Sequence, residues 1–279
     1  MGAIALGLVA ALAWGLHDLA VRYVSQRSSI YAALFTVLLT GLVLLVPVLW
    51  LFGVLAPIGI RAAVISAVSG VAFACAGVAL YQAFAIGPVR LVAPIIGSFP
   101  VLSVGWAVLS GQPVGLWGWI AVCAVVAGIA IVSSGGDDAS NGRTRAILWS
   151  IAAAIGFFVT FALGQAAAQG AETGASLLLA RVAACLAALA IAALLRVSVR
   201  PGRRAFPLLI VMGALDAVAL SAVMVAGNLP FAAYASVAAS VFGIITIILA
   251  WAFLREPMRA HQWAGVGLVF LAIGYLAAT

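Results

Sequence analysis

Apolar segments of about 20 residues, each long enough to cross a bilayer as a helix, follow one another along nearly the whole chain. One run, from Leu91 to Gly136, contains no charged residue and is long enough for two such helices. The chain is 67% hydrophobic and 7% charged, whereas soluble domains carry about 25% charged residues. No soluble fold could bury that much apolar surface, so the sequence predicts an all-α membrane protein that crosses the bilayer many times.

Polar turn signals divide the apolar segments into ten predicted transmembrane helices. Ser110-Gly111-Gln112-Pro113 separates the fourth helix from the fifth within the uncharged run, and Gly227-Asn228-Leu229-Pro230 precedes the ninth. The first to third, sixth to eighth, ninth and tenth predicted helices cover residues 3–23, 30–52, 62–85, 146–168, 174–195, 205–226, 232–254 and 260–278.

Residues 135–145 form the one long polar stretch and lie near the middle of the chain. Their glycine, serine and asparagine residues and their mixed charge are typical of a solvated loop. We therefore predict two membrane-embedded halves, residues 1–134 and 146–279, joined by this linker. Each half would contain five spans, and an odd number inserts the second half upside down relative to the first. Such inverted repeats let many transporters alternate between two conformations.

A short internal match supports the repeat. The segments 112–119 and 256–263 both begin with a polar residue and a proline and end with tryptophan, and Pro88 opens the fourth helix as Pro230 opens the ninth. Proline and tryptophan also mark membrane interfaces in unrelated proteins, which is the alternative explanation. The count of five spans on each side of the linker favours the repeat.

The basic residues are all arginine, and their distribution predicts the orientation of the protein. Arg61 lies in a loop on one side and Arg181 lies inside a span, whereas every other arginine falls in loops on the opposite side. Because cytoplasmic loops are enriched in basic residues, we expect the linker in the cytoplasm and both termini outside. The N-terminus has no basic stretch, which favours a retained first span over a cleaved signal. The abundance of Arg, Ala and Gly is typical of proteins from GC-rich bacterial genomes, which favours a bacterial inner (cell) membrane.

Two ionisable residues interrupt the first predicted span, where charge is costly and usually functional. His17 and Asp18 share a helix face with Trp14, because the three are spaced i, i+3 and i+4. Asp18 could line a substrate cavity, or it could pair with Arg22, four residues later, at the membrane edge. His17 could be a packed polar residue, but its side chain also titrates near neutral pH.

Two further charges lie inside the seventh and eighth predicted spans. Arg181 and Asp216 fall on consecutive spans and have opposite sign. A mutual salt bridge that holds the two helices together is one interpretation. The other is that one of them contacts a zwitterionic substrate or a proton, since arginine can grip a carboxylate with two parallel hydrogen bonds.

The fourth predicted helix contains Pro94, Gly97 and Pro100. Proline removes a helical hydrogen bond, and in a membrane the carbonyl freed in this way usually faces a cavity rather than lipid. We therefore predict a hinge next to a central cavity, and an ordinary packing kink is the alternative. Further polar residues could line this cavity, although interface anchoring or helix packing would also explain them: Tyr81, Gln82, Tyr234, Ser236 and Ser240.

Several classes of protein receive no support from the sequence. It has no nucleotide-binding loop, dinucleotide fingerprint or hydrolase nucleophile motif, so neither ATP-driven transport nor common enzyme chemistry is expected. The three cysteines are scattered through apolar runs, without metal-binding or disulfide spacing. We expect no cofactor and no metal. The net charge of +7 reflects membrane orientation rather than a nucleic-acid partner.

Two short motifs within this architecture resemble a known family. Ala13-Trp14-Gly15 in the first helix and Arg255-Glu256-Pro257 before the last resemble the EamA-like branch of the drug/metabolite transporter superfamily. Among its members, the YddG-type amino-acid exporters look most similar in length and in the small, largely uncharged interior. The resemblance implies a monomeric secondary carrier with a central cavity formed by both repeats. Gln112 departs from the motif, because the second half has Glu256 at the matching position.

The predicted function is therefore export of small organic solutes, amino acids in particular, by alternating access across the bilayer. An apolar, aromatic cavity with few charges suits neutral solutes better than phosphates. A multidrug or other metabolite exporter of the same superfamily is one alternative. Outside transport, an intramembrane lipid-modifying enzyme would need clustered carboxylates or a nucleophile–base pair, whereas Asp18 and Asp216 lie on helices of opposite halves.

Overall fold

The computed structural model describes residues 2–51, 57–109, 111, 113–134, 140–168, 173–227, 238–239 and 241–278. The described residues fold into helices joined by short connections. The helices are α1 (Gly2–Ser25), α2 (Ile30–Leu51), α3 (Ile60–Ile86), α4 (Val89–Gly97), α5 (Phe99–Leu109), α6 (Leu116–Ser133), α7 (Ser140–Ala168), α8 (Thr173–Leu194), α9 (Phe206–Gly227), α10 (Phe242–Phe253) and α11 (Ala260–Ala278).

Within the described part of the chain, six helices are each long and apolar enough to cross a membrane: α1, α2, α3, α7, α8 and α9. Helices α6, α10 and α11 contain shorter apolar segments. Large apolar side chains remain exposed on the outside of the helices, among them Trp50, Leu109 and Leu271. Lipid would cover such a surface. The prediction of an all-helical membrane protein is confirmed, whereas the count of ten spans stays a prediction.

The fourth predicted helix differs from the expectation, because the chain forms two helices there. Helix α4 ends at Gly97, and α5 begins at Phe99. Between them, the backbone N–H of Ser98 donates to the carbonyl of Ile95 at 3.2 Å, which closes a tight turn. The next turn cannot continue an α-helix in full, since Pro100 has no N–H to donate to the carbonyl four residues earlier.

The polar linker also differs from the expectation. Helix α7 begins at Ser140, so residues 140–145 are helical, while residues 135–139 lie outside the described residues. A helix that leaves the bilayer needs no apolar residues, and hydropathy alone therefore cannot locate its start. Of the ninth predicted helix, α10 covers the second part, and residues 228–237 and 240 lie outside the described residues.

The largest contacts between the two halves repeat when the halves are exchanged. Helix α1 packs on α9 and α10, and in the same way α7 packs on α3 and α4. Helix α2 packs on α9 as α8 packs on α3, while α2 contacts α8 and α6 contacts α11 across the axis of exchange. In these contacts, corresponding helices of the two halves take corresponding places.

Glycines permit two of the matching contacts. A Cβ atom on Gly70 of α3 would overlap the backbone carbonyl of Ala180 in α8. A Cβ atom on Gly213 of α9 would lie 2.8 Å from the carbonyl oxygen of Val37 in α2. In both halves, the third long helix approaches the second helix of the other half so closely that a side chain does not fit.

Candidate functional site

A buried ion pair joins α8 to α9. Nη1 of Arg181 lies 2.7 Å from Oδ2 of Asp216, and the two side chains are only 3% and 8% exposed. The two atoms do not meet hydrogen-bond geometry, so the contact is mainly electrostatic. Each charge would be costly to bury alone, and together they neutralise one another. The salt bridge that the sequence suggests is therefore present.

Helices of the first half surround this ion pair. The indole Nε1 of Trp14 in α1 donates a long hydrogen bond of 3.4 Å to Oδ1 of Asp216. The aromatic ring of Phe73 in α3 lies 5.1 Å from the guanidinium carbon of Arg181, within reach of a cation–π interaction. A Cβ atom on Gly41 in α2 would lie 3.5 Å from the Asp216 carboxylate. The site is thus assembled from both halves.

The residues of this site lie near the midpoints of their helices. This holds for Trp14 in α1, Gly41 in α2, Phe73 in α3, Arg181 in α8 and Asp216 in α9. When helices of this length cross a bilayer, their midpoints fall near its centre. The ion pair therefore lies near the middle of the helices that surround it.

A second polar pair lies one turn further along α1. Nδ1 of His17 lies 3.0 Å from Oδ1 of Asp18, and both residues are 7% exposed. The alternative that Asp18 pairs with Arg22 is wrong, because Arg22 binds Glu256 instead, with 3.2 Å between Nε and Oε1. Helix spacing allows the local pair, but a carboxylate from the other half competes for the arginine.

Tyr81 is buried within electrostatic range of both polar pairs. It is 1% exposed, and its hydroxyl group has no hydrogen-bond partner among the described residues. The carboxylates of Asp216 and Asp18 both lie close enough to interact electrostatically with this hydroxyl group. A buried hydroxyl group without a partner is costly, which marks this position as one that a polar ligand could satisfy.

Of the remaining predicted cavity residues, only Gln82 lies among the described residues. Gln82 is half-buried, and no hydrogen bond joins it to the cluster within the described part of the chain. Tyr234, Ser236 and Ser240 lie outside the described residues, so their part in a cavity stays a prediction.

The predicted hinge residues lie on both sides of the break in the fourth predicted helix. Pro94 and Gly97 are buried in α4, which packs against α7 and α10, and Pro100 falls in the first turn of α5. A Cβ atom on Gly97 would lie 3.6 Å from the ring of Phe270 in α11. Whether this segment moves stays a prediction.

The role of Glu256 is not predicted by the sequence, in which this residue stands out only as part of a turn motif. Its Oε1 accepts a hydrogen bond from Nε of Arg22, and its Oε2 accepts one of 2.8 Å from the backbone N–H of Val89, the first residue of α4. A signal was present, because Pro88 at the N-cap of α4 has no side-chain acceptor for that N–H. Another acceptor was therefore required.

The described residues contain no group of three or more histidine, cysteine, aspartate or glutamate side chains arranged to hold a metal ion. What the site offers is a cation and an anion at the centre of the helices, flanked by an indole and a phenyl ring. These groups can bind and orient a ligand that carries both charges.

Comparisons with known proteins bear on the family and on the fold. The EamA-like transporter family matches the chain twice, over residues 1–134 and 144–278. Twelve chains of solved structures match, among them a crystal structure that aligns over 99% of this chain and 97% of its own. That structure has a TM-score of 0.67 and 14% sequence identity, which shows a shared fold. No curated protein matches the sequence.

Proposed function

Because the chain belongs to the EamA-like transporter family, and is thus a multi-pass membrane transporter of the drug/metabolite type, we propose that it exports amino acids as a secondary carrier. The observation that carries the proposal is the Arg181–Asp216 pair, buried at the middle of the helices and contacted by both halves. An intramembrane ion pair at the junction of two repeats is a typical site for a small charged solute.

The pair is complementary to the backbone end of an amino acid. The guanidinium group of Arg181 can bind a carboxylate through two parallel hydrogen bonds. Asp216 can accept hydrogen bonds from an ammonium group. A zwitterion would replace each partner of the ion pair with a group of the same charge, so that no buried charge is left alone. Trp14 and Phe73 lie beside the two ends of the pair and could contact an apolar side chain.

The correspondence between the two halves supports alternating access around this site. The largest contacts between the halves repeat when the halves are exchanged, and five predicted spans in each half would make the repeats inverted. We propose that the arginine-rich loops face the cytoplasm and that both termini lie outside, in a bacterial inner membrane. We also propose that a single copy of the chain suffices, since the site is completed by the two halves of one chain.

A transport assay with purified protein in liposomes tests the proposal. We expect uptake of neutral amino acids with apolar side chains, which Arg181→Gln and Asp216→Asn should each reduce at least tenfold if each removes one charge-assisted contact. Arg200→Gln removes an equal charge in an exposed loop and serves as the control. Uptake of organic cations without amino acids would identify a multidrug exporter. Altered lipids without solute uptake would instead indicate an enzyme.

A further inference from the structure

Glu256 ties the second half of the protein to three helix ends of the first half. Its carboxylate binds Arg22 at the end of α1 and the N–H of Val89 at the start of α4. The same arginine also donates from Nη1 to the carbonyl oxygen of Phe84 in the last turn of α3. We call Arg22, Glu256 and the N–H of Val89 the latch.

The latch is protected enough to have a sizeable effect. The side chains of Arg22 and Glu256 are 13% and 11% exposed, so water screens them less than it screens a surface pair. The position of Glu256 at the N-terminus of α4 is favourable for a negative charge. A hydrogen bond of 2.9 Å from Nη1 of Arg90 to the carbonyl oxygen of Pro257 joins the same two segments.

The sequence has no charged counterpart of the latch at the opposite end of the protein. Exchange of the halves pairs the turn at Glu256 with the turn at Gln112, and the helix opening at Pro88 with that at Pro230. Helix α7 takes the place of α1, and residues 146–170 contain no charged side chain that could replace Arg22. Any equivalent closure of the opposite end would therefore lack both charges.

From this asymmetry we propose that the latch sets the resting conformation of the carrier. The charged latch holds the protein closed at the end where α1 finishes. The opposite end closes without such charges, so the two access states differ in energy. Glu256 is then a positioning residue that favours the state in which the end opposite the latch is open. In the predicted orientation, that end faces the outside. The inference rests on the proposed alternating-access function, but it concerns accessibility and needs no substrate for its test.

Cysteine accessibility measures the resting conformation directly. Gln82 is half-buried and lies along α3 between Phe73 of the buried site and Phe84 at the latch. In a background with Cys75, Cys123 and Cys185 replaced by alanine, Gln82→Cys reports opening of the latch end to an impermeant thiol reagent. We expect Glu256→Gln, which keeps the size of the side chain and removes its charge, to increase the labelling rate about fivefold or more.

Three further variants separate the latch from general effects. Arg22→Gln should raise the labelling rate as Glu256→Gln does, and the double variant should add little, because both changes break one interaction. Arg255→Gln removes a charge from the same turn without touching the latch and should leave the rate unchanged. Equal rates in wild type, Arg22→Gln and Glu256→Gln would overturn the proposal, as would an equal increase with Arg255→Gln.

Unfolding is detected by a second reporter. Leu45 is 1% exposed, so Leu45→Cys must stay unlabelled in each folded variant. If Glu256→Gln exposes this reporter, Glu256→Asp decides, because it keeps the charge on a shorter side chain. With Leu45→Cys protected, Glu256→Asp should give an intermediate labelling rate at Gln82→Cys, and an unchanged rate overturns the proposal. A shift in labelling without solute transport would leave the latch in place and contradict the proposed function alone.

Discussion

Asp216 is contacted from two other helices, by Trp14 of α1 through Oδ1 and by Arg181 of α8 through Oδ2. One carboxylate oxygen is thus bound by each half of the protein. A solute that displaced Arg181 from Oδ2 could leave the indole contact in place. At the residue scale, Asp216 could therefore keep a structural contact with Trp14 while its contact with Arg181 is exchanged for a solute.

Substitutions of the ion pair distinguish a structural role from a role in binding. Arg181→Met alone leaves a buried carboxylate without its cation and should lower the free energy of unfolding by about 3–5 kcal/mol. The double variant Arg181→Met with Asp216→Leu removes both charges and should recover most of that stability. It should nevertheless fail to transport, if the charges bind the solute. Thermal unfolding in detergent and uptake into liposomes measure the two effects, and recovery of both would contradict a ligand role.

At the element scale, the break between α4 and α5 is the feature that distinguishes the fourth predicted helix from its neighbours. Two short helices joined at Ser98 can change their mutual angle without breaking the hydrogen bonds that span the bend in a continuous helix. Helix α4 also starts at the latch and packs against α10 of the other half. A change at either end of α4 would therefore be transmitted to the contact between the halves.

Proline substitutions in this segment should slow transport. Pro94→Ala and Pro100→Ala restore backbone N–H groups and should stiffen the segment, so we expect the maximal transport rate to fall severalfold while solute binding changes less. Pro47→Ala is the matched control, because Pro47 also lies inside a helix, α2, away from the break. Rate and binding should be measured separately on reconstituted protein. An unchanged rate in both test variants would mean that the moving element lies elsewhere.

At the scale of the whole molecule, the exchange symmetry of the helix contacts and the asymmetry of the charges act together. The largest contacts between the two halves repeat when the halves are exchanged. The Arg181–Asp216 pair lies within the second half, while Glu256 of the second half binds Arg22 of the first. Similar surfaces permit two related conformations, and unequal charges make these conformations differ in energy.

The orientation of the molecule can be tested by labelling. We expect Ser140→Cys, at the first residue of α7, to be blocked from an impermeant reagent in intact cells, because the arginine-rich loops should face the cytoplasm. Arg61→Cys, exposed in the first turn of α3, should react readily from outside. The three native cysteines are replaced in both variants. The reverse pattern of labelling would invert the proposed topology.

The sequence by itself was enough to predict the membrane class, the family and a charged pair on neighbouring spans. These properties depend on composition and on depth along each helix, which hydropathy, short motifs and the positions of Arg181 and Asp216 report locally. It also predicted that the region of Pro94 and Pro100 is irregular, although it did not locate the break at Ser98.

Only the tertiary structure decided which side chains meet across the halves. Trp14 reaches Asp216 over 202 residues of chain, and Arg22 reaches Glu256 over 234. Hydropathy states how deep a residue lies in the bilayer but not towards which neighbour its helix face turns. For that reason the sequence left open a pair between Arg22 and Asp18, one turn away on the same helix, while the contact in the folded protein is with a carboxylate brought close by the packing of the other half.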